Sequence, residues 1–266
     1  MAEALDLDAA LDVALEAAGQ AVTLARTMAL GEIRTKRHAA DVVTDVDVAT
    51  ERAVRSLVGE AFPDHQVVGE ELGGEAGDGP AWYCDPVDGT TNLASGLPWT
   101  SFSLSLAVGH EPLVGVVADP WRQEVLYGVA GQGAYRRVDG GEELLAVGAL
   151  DGLAGRVVMT EWAAHVPWPG MPPFLEGLGK RHCTCRIMGS GTLSVASVAA
   201  GRAAGAVIST FHPEDHLAAV LLCREAGAVV CDRHGVPTAW PEDGPFVAAP
   251  PGVVEELRAL LAADSR

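Results

Sequence analysis

The run SFSLSLAVGHEPLVGVVADPWRQEVLYGVAGQGAYRR, residues 101–137, alternates apolar with small or polar side chains and is punctuated by glycines. Successive strand residues face opposite ways, so this two-residue period fits strands with a buried face, and glycines between short runs fit hairpins. The spacing predicts an antiparallel run of about three strands. Such a sheet needs covering, and the residues before it supply helices. Residues 5–30 place Leu5, Ala9, Leu11, Ala14 and Leu15 near helical spacing, with Gly31 as a stop. DVVTDVDVATERAVRSLVGEAF predicts a second helix after an extended, acidic lead-in. Thr44 or Asp45 would cap it, and Val54, Leu57 and Val58 would form its apolar face. HQVVGEEL reads as a short strand ending in acids, and AWYCDP as another.

Beyond residue 137 the pattern changes. DGGEELLAVGALDGLAG is loop-like and marks a boundary between two lobes, 1–145 and 146–266. Strands and helices then alternate: RVVMT, a helix near 171–179, CRIMG, TLSVASVAAGR, AGAVIS, HLAAVLLCREAG, AVVCD and GVVEELRALLAA. That order is α/β-like. Hydrophobic residues make up 48% of the 266, enough for a sizeable core in one large domain or two lobes sharing an interface.

The formal net charge of −18, from 36 acids and 18 bases, would repel a phosphate backbone and argues against nucleic-acid partners. A small anionic substrate would need a local cation to offset the same field. Cys84, Cys183, Cys185, Cys223 and Cys231 are odd in number and irregularly spaced, which argues against a disulfide framework and for a reducing compartment. The N-terminus is acidic and amphipathic rather than signal-like, and no apolar run reaches the ~18 residues of a membrane span. A cytoplasmic protein with no membrane partner is expected.

The segment WYCDPVDGTTNLASGLP carries the chemistry. Asp-Pro and Asp-Gly are ordinary turn formers, which would explain part of it. Yet Asp85 and Asp88, three residues apart around a stiff proline, can converge on one point if the strand ends there, and the Val87 carbonyl can join them. Hard divalent cations such as Mg²⁺ take such oxygen ligands. Gly89 frees the turn, and Thr90 and Thr91 sit where a helix could begin and offer N–H groups to a phosphate. Glu70, Glu71, Asp47 and Asp215 complete the candidate acids.

These blocks together resemble the inositol monophosphatase-like, Mg²⁺-dependent and lithium-sensitive phosphatases. Lys36 with DVVTDVD, GEE at 69–71, WYCDPVDGTTNLASGLP, GVVADP at 115–120, RIMGSGTLSVASVAAGR and EDHLAAVLLCREAGAVV match successive family blocks over residues 36 to about 230. The resemblance implies a layered αβαβα sandwich of the sugar-phosphatase type in two lobes, α+β then α/β. Glu70, Asp85, the Val87 carbonyl, Asp88 and Asp215 would hold about two or three Mg²⁺ ions, which lower the pKa of a water. Thr90 with Asp47, and Glu70, would be catalytic. Gly89, Thr90, Thr91, Lys36, Gly189, Ser190, His212 and Glu214 would line the substrate site. The implied reaction is hydrolysis of a small phosphorylated metabolite (an inositol phosphate, histidinol phosphate or a related sugar phosphate) without a covalent phosphoenzyme, by a homodimer. Within the same chemistry, 3′-phosphoadenosine 5′-phosphate and fructose 1,6-bisphosphate are alternative substrates; a metal-binding pseudoenzyme or scaffold is the alternative of another kind.

The chain departs from the family pattern at several positions. Leu93 stands where Phe is usual, and Ala204 and Ala206 stand in the places of an Asp-hydrophobic/aromatic signature. Glu214 stands before Asp215 where Trp is usual, and Ile208 stands where inositol-specific members tend to carry a Glu that contacts a sugar hydroxyl. Losing that acid weakens discrimination for inositol. HCTC at 182–185 lacks the second ligand pair of a zinc site, GSGTLS lacks the nucleophile-elbow pattern, and there is no P-loop.

Overall fold

The computed structural model describes residues 5–163, 165–242 and 244–262. The chain opens with α1 (Leu7–Thr27), a small antiparallel pair β1 (Arg34–Thr35) and β2 (Val42–Val43), and α2 (Asp45–Ala61). β3 (Gln66–Gly69), β4 (Pro80–Asp88) and the short α3 (Thr90–Ala94) follow. A meander comes next: β5 (Ser101–Val108), β6 (Glu111–Asp119), β7 (Glu124–Val129), β8 (Gly133–Val138) and β9 (Gly141–Leu144). The rest alternates through β10 (Val157–Thr160), α4 (Met171–Lys180), β11 (Thr184–Arg186), α5 (Gly191–Ala199), β12 (Gly205–Ile208) and α6 (Pro213–Glu225). β13 (Val229–Cys231), β14 (Phe246–Ala249) and α7 (Val254–Ala262) complete it.

Strands β3 to β9 pair in sequence order into one sheet, parallel at β3–β4 and antiparallel elsewhere. The second sheet runs β11-β10-β12-β14-β13, with β14 antiparallel to both neighbours. Five layers result. α1 and α2 cover the face of the first sheet that carries Trp82, Leu104, Leu106 and Val116. The other face, with Tyr83, Ala107, Val117 and Leu126, shares one core with α5, α6 and the Met159, Ala206, Ile208 and Phe246 face of the second sheet. α4 and α7 cover its far face at Val158, Val207 and Val247. The neighbours Trp82/Tyr83, Val116/Val117 and Val158/Met159 thus enter different cores, the two-residue period of strands buried on both sides. This is the αβαβα sandwich that the resemblance implies.

The middle layer explains an unusual helix. His216 through Cys223 of α6 are all buried, because a sheet lies on either side of it. A helix apolar all round belongs inside a protein. Gly115 of β6 lets α6 come close, since a Cβ there would stand 3.0 Å from the Ala218 carbonyl oxygen.

Several local expectations need correction. The first helix runs 7–27 rather than 5–30; Asp6 caps it, and Met28, already extended, ends it before Gly31. Its buried stripe is Ala10, Ala14, Ala17, Ala18 and Ala21, small side chains that bring it close to the sheet. Residues 101–138 form four strands rather than three, and a fifth, Gly141–Leu144, lies in the stretch expected to be loop. That strand is exposed throughout, so it carries no apolar period. Phe246–Ala249 was not expected as a strand; its four buried residues are too few to set a period. No helix among the described residues is long and apolar enough to cross a membrane.

Candidate active site

β4 does not end at Asp85. It continues through Asp88 with an irregularity, Asp85 pairing with Ser103 and Asp88 with Ser101. Three steps on β4 therefore match two on β5. Without the extra residue, Asp85 and Asp88 would point to opposite faces; the bulge turns both to the same side. Pro86, which has no N–H to give a ladder, falls within this irregularity. The Val87 N–H donates to Asp85 Oδ1 at 2.9 Å, fixing that carboxylate against its own turn.

Gly89 follows in the left-handed region, φ 93°, and a Cβ there would meet the Gly189 carbonyl oxygen at 2.8 Å. It begins α3, where Thr90 Oγ1 lies 2.9 Å from Asp47 Oδ1 and 2.9 Å from the Val87 carbonyl. Asp47 is fully buried at the third position of α2. Its Oδ2 accepts from the Thr44 N–H at 3.0 Å and from the Thr44 hydroxyl, while Thr44 caps the helix in return. Asp47 is thus both a capping-box acid and the partner of Thr90. Burial raises its pKa above the usual carboxylate range, against the bonds from Thr44 and Thr90.

The second half of the chain closes the site. Ser190 caps α5 and donates to Asp88 Oδ2 at 2.6 Å, and the Thr192 N–H reaches the same oxygen at 2.7 Å. The Thr192 hydroxyl donates to the Asp215 carbonyl at 2.5 Å, tying α5 to the first turn of α6. Asn92 holds the opposite rim, donating to Trp99 O at 2.8 Å and Met188 O at 2.7 Å. Thr91 reaches the Ala40 carbonyl at 3.3 Å.

The electrostatics single out three acids, Asp85, Asp88 and Asp215. Asp85 is buried; Asp88 and Asp215 keep a solvent-facing edge, and Glu70 sits at the exposed rim. Desolvation by the surrounding protein pushes Asp85 and Asp215 well above the usual carboxylate range; Glu70, Asp215 and Asp88 push Asp85 further, and Asp88, Glu70 and Glu214 push Asp215 further. Asp88 is raised for the same reason despite the bonds from Ser190 and Thr192. Clustered, desolvated oxygens with too little positive charge are the donor chemistry of a hard-cation site. Among the described residues, no group of three or more acid, histidine or cysteine side chains is drawn together closely enough to hold a metal ion as they stand. Lys36 Nζ instead holds Glu70 at 2.7 Å and Glu71 at 2.8 Å. Burial draws the Lys36 pKa down, but the two carboxylates more than reverse this and leave it raised. Burial lifts Glu71 to about 7.

Of the remaining candidates, Gly189 and Ser190 lie on the segment that meets Asp88, whereas His212 stacks on His216 with ring centroids 6.3 Å apart. Glu214 stands in the first turn of α6 and adds its charge to Asp215 and Tyr83. Burial holds His216 down at about 3. Ile208 is buried in the middle core with Phe211 and Phe246.

Two supporting acids escaped the sequence reading. Glu51, fully buried on α2, takes the Glu71 N–H at 2.8 Å and the Leu72 N–H at 3.2 Å while paired with Arg55. It fixes the turn bearing Glu70, and only its spacing of four residues from Arg55 was visible in sequence. Glu161, just past β10, takes the Gly189 N–H at 2.7 Å and the Ser194 hydroxyl at 2.6 Å. Burial raises it to about 7, so protonation below that pH removes an acceptor from the Gly189 segment. Glu161→Gln is expected to lower kcat/KM about tenfold and to remove the acid limb near this pH, as a pH–rate profile would show.

The chain and its fold have known relatives. Residues 5–266 match the inositol monophosphatase family. A Nus factor SuhB of Pasteurella multocida is 35% identical over 227 residues, 84% of this chain and 83% of that protein. A fructose-1,6-bisphosphatase/inositol-1-monophosphatase of Thermotoga maritima is 35% identical over 195 residues, 73% of each. The solved structure of a Thermotoga maritima IMPase superposes with a TM-score of 0.86 at 29% identity, covering 96% of this chain and 97% of that one.

Proposed function

Because the chain belongs to the inositol monophosphatase family, we propose that it is a Mg²⁺-dependent phosphomonoesterase acting on a small phosphorylated metabolite. The observation that carries this reading is the set of desolvated acids Asp85, Asp88 and Asp215 beside the Thr90–Asp47 pair, with Glu70 held at the rim by Lys36. Those acids, with the Val87 carbonyl, would hold magnesium, which when bound supplies charge neutralisation at phosphate and a more acidic water. Thr90, donating to Asp47, would turn a lone pair toward that water and accept its proton's hydrogen bond. The Gly89, Thr90 and Thr91 amides open α3 and have no partner within it, so they are free of helical bonding to hold phosphate oxygens. Lys36 offsets part of the acidic field that would otherwise repel a phosphate. Water oxygen adds to phosphorus as the ester P–O bond breaks, and the released alkoxide takes up a proton.

Ile208 is apolar and buried, so no acid at that position recognises a sugar hydroxyl, which weakens the preference for an inositol phosphate. The reading includes a cytoplasmic homodimer. The exposed Leu97, Trp162 and Met188 on neighbouring loops beside Asn92 and Glu161 are consistent with self-association.

The test is phosphate release from inositol 1-phosphate, histidinol phosphate, fructose 1,6-bisphosphate and 3′-phosphoadenosine 5′-phosphate, with and without Mg²⁺. Release that requires Mg²⁺ is expected for at least one ester. The description of the Pasteurella relative as a Nus factor favours a second reading, a metal-binding scaffold without turnover. Calorimetric Mg²⁺ binding with no release from any ester would select it.

A further inference from the structure

The second sheet has a topological switch point. β10 and β12 are parallel neighbours, yet the chain leaves β10 for α4 on one face and leaves β12 for α6 on the other. In open α/β sheets such a divergence leaves a crevice outside the carboxyl ends of the strands, and ligands occupy it. A cavity of about 640 Å³ lies there, on the α4/α7 side, lined by Ala163 after β10 and Ser209 and Thr210 after β12. Its size is that of a site for a whole small-molecule ligand.

Its walls differ from the acid cluster. Trp168 spends its indole N–H on Thr160 Oγ1 at 3.2 Å and offers only ring surface, and Pro169, Pro245 and Leu261 add apolar surface. Ser209 and Thr210 bring hydroxyls, Arg233 and His234 bring a guanidinium and an imidazole, and none of the described lining residues is acidic. The same strand ends also border the acids: Glu161 directly follows β10, and Asp215 comes five positions after Thr210. Five residues span at most ~18 Å fully extended, so acids and cavity lie within reach of one elongated molecule.

We propose that the alcohol portion of the substrate runs along this edge into the cavity, so that the preferred monoester carries an aromatic or heterocyclic ring beyond its phosphate-bearing carbon. This rests on the phosphatase reading above and adds the substrate class to it. Apolar walls desolvate the ring, the two hydroxyls bond its polar edge, and a bare three- or six-carbon polyol leaves most of the space unfilled.

The test compares kcat/KM of the Mg²⁺-loaded protein for adenosine 5′-monophosphate and histidinol phosphate against glycerol 2-phosphate. At least one ring ester is expected to be preferred about tenfold or more, the worth of one well-filled pocket. Ala163→Trp and Ala163→Phe, which fill the cavity from its β10 end, should remove that preference and leave glycerol 2-phosphate within about twofold of wild type. Adenosine or histidinol should also inhibit wild-type glycerol 2-phosphate hydrolysis competitively, a measurement that needs no variant to fold. Equal rates on all three esters, a preference that survives both fillings, or no inhibition by either ring alcohol would overturn the inference while leaving the phosphatase reading intact. No hydrolysis of any ester would overturn both.

Discussion

Replacing Asp88 by asparagine is expected to remove nearly all hydrolysis and, at the same time, to raise the melting temperature of the metal-free protein. The side chain keeps its shape, and an amide oxygen can still accept from Ser190 and Thr192. What disappears is a negative charge that desolvation and Glu70 already oppose. If the cation site supplies about 4 kcal/mol of transition-state stabilisation, kcat/KM falls about 10³-fold. The stability gain follows from linkage. Asp85, Asp88 and Asp215 have folded-state pKa values above their unfolded ones, so the native protein binds more protons. The metal-free protein is therefore favoured below the ordinary carboxylate pKa and loses stability as pH rises through the raised values. Mg²⁺ should reverse this trend, because it binds the ionised acids. Thermal melts across pH, with and without Mg²⁺, check both halves; an Asp88→Asn protein that still hydrolyses at the wild-type rate would exclude this oxygen from the chemistry.

Asp47→Asn should cost about 10²- to 10⁴-fold in kcat, the usual worth of a group that directs a proton. Asparagine can turn an N–H toward Thr90 Oγ1, so the hydroxyl then points its own proton elsewhere. Thr90→Val should lower kcat comparably, and the double variant little further, because the two act as one unit. Thr90→Ser, which retains the hydroxyl, should recover most of the rate. Burial raises Asp47 above the ordinary carboxylate range, so the acid limb of the wild-type profile should lie higher than for an exposed aspartate. Asp47→Asn also weakens the cap of α2, by about 1 kcal/mol. A melting curve separates that loss from the kinetic one.

The sequence is informative where neighbours in the chain are neighbours in space. Asp85, Val87, Asp88, Gly89 and Thr90 fall within six consecutive positions, so their proximity required no long-range knowledge. Even there the bulge was hidden, because it is a mismatch between β4 and β5, and a single strand does not display its partner's register. Glu161 meets Gly189 across 28 residues, and Glu51 meets Glu71 across 20; neither pairing leaves a local period. The layers were legible for a related reason. Two-residue alternation in 101–137 and all-apolar stretches such as that of α6 record which faces are covered. The short β14 records too little to be read.

A single oxygen, Asp88 Oδ2, receives the Ser190 hydroxyl and the Thr192 amide, partners 102 and 104 residues away. The first sheet and the helix layer of the second half are therefore fastened at the site itself. Either half, cut from the other by a protease or made alone, would lose its share of the common middle core and present an unfinished site. Hydrogen exchange at the Thr192 amide should then act as a gauge of the whole assembly: slow when both halves are joined, slower still with Mg²⁺, and fast as soon as they part. In such a molecule, the surface that binds the ligand is also the last rivet of the fold.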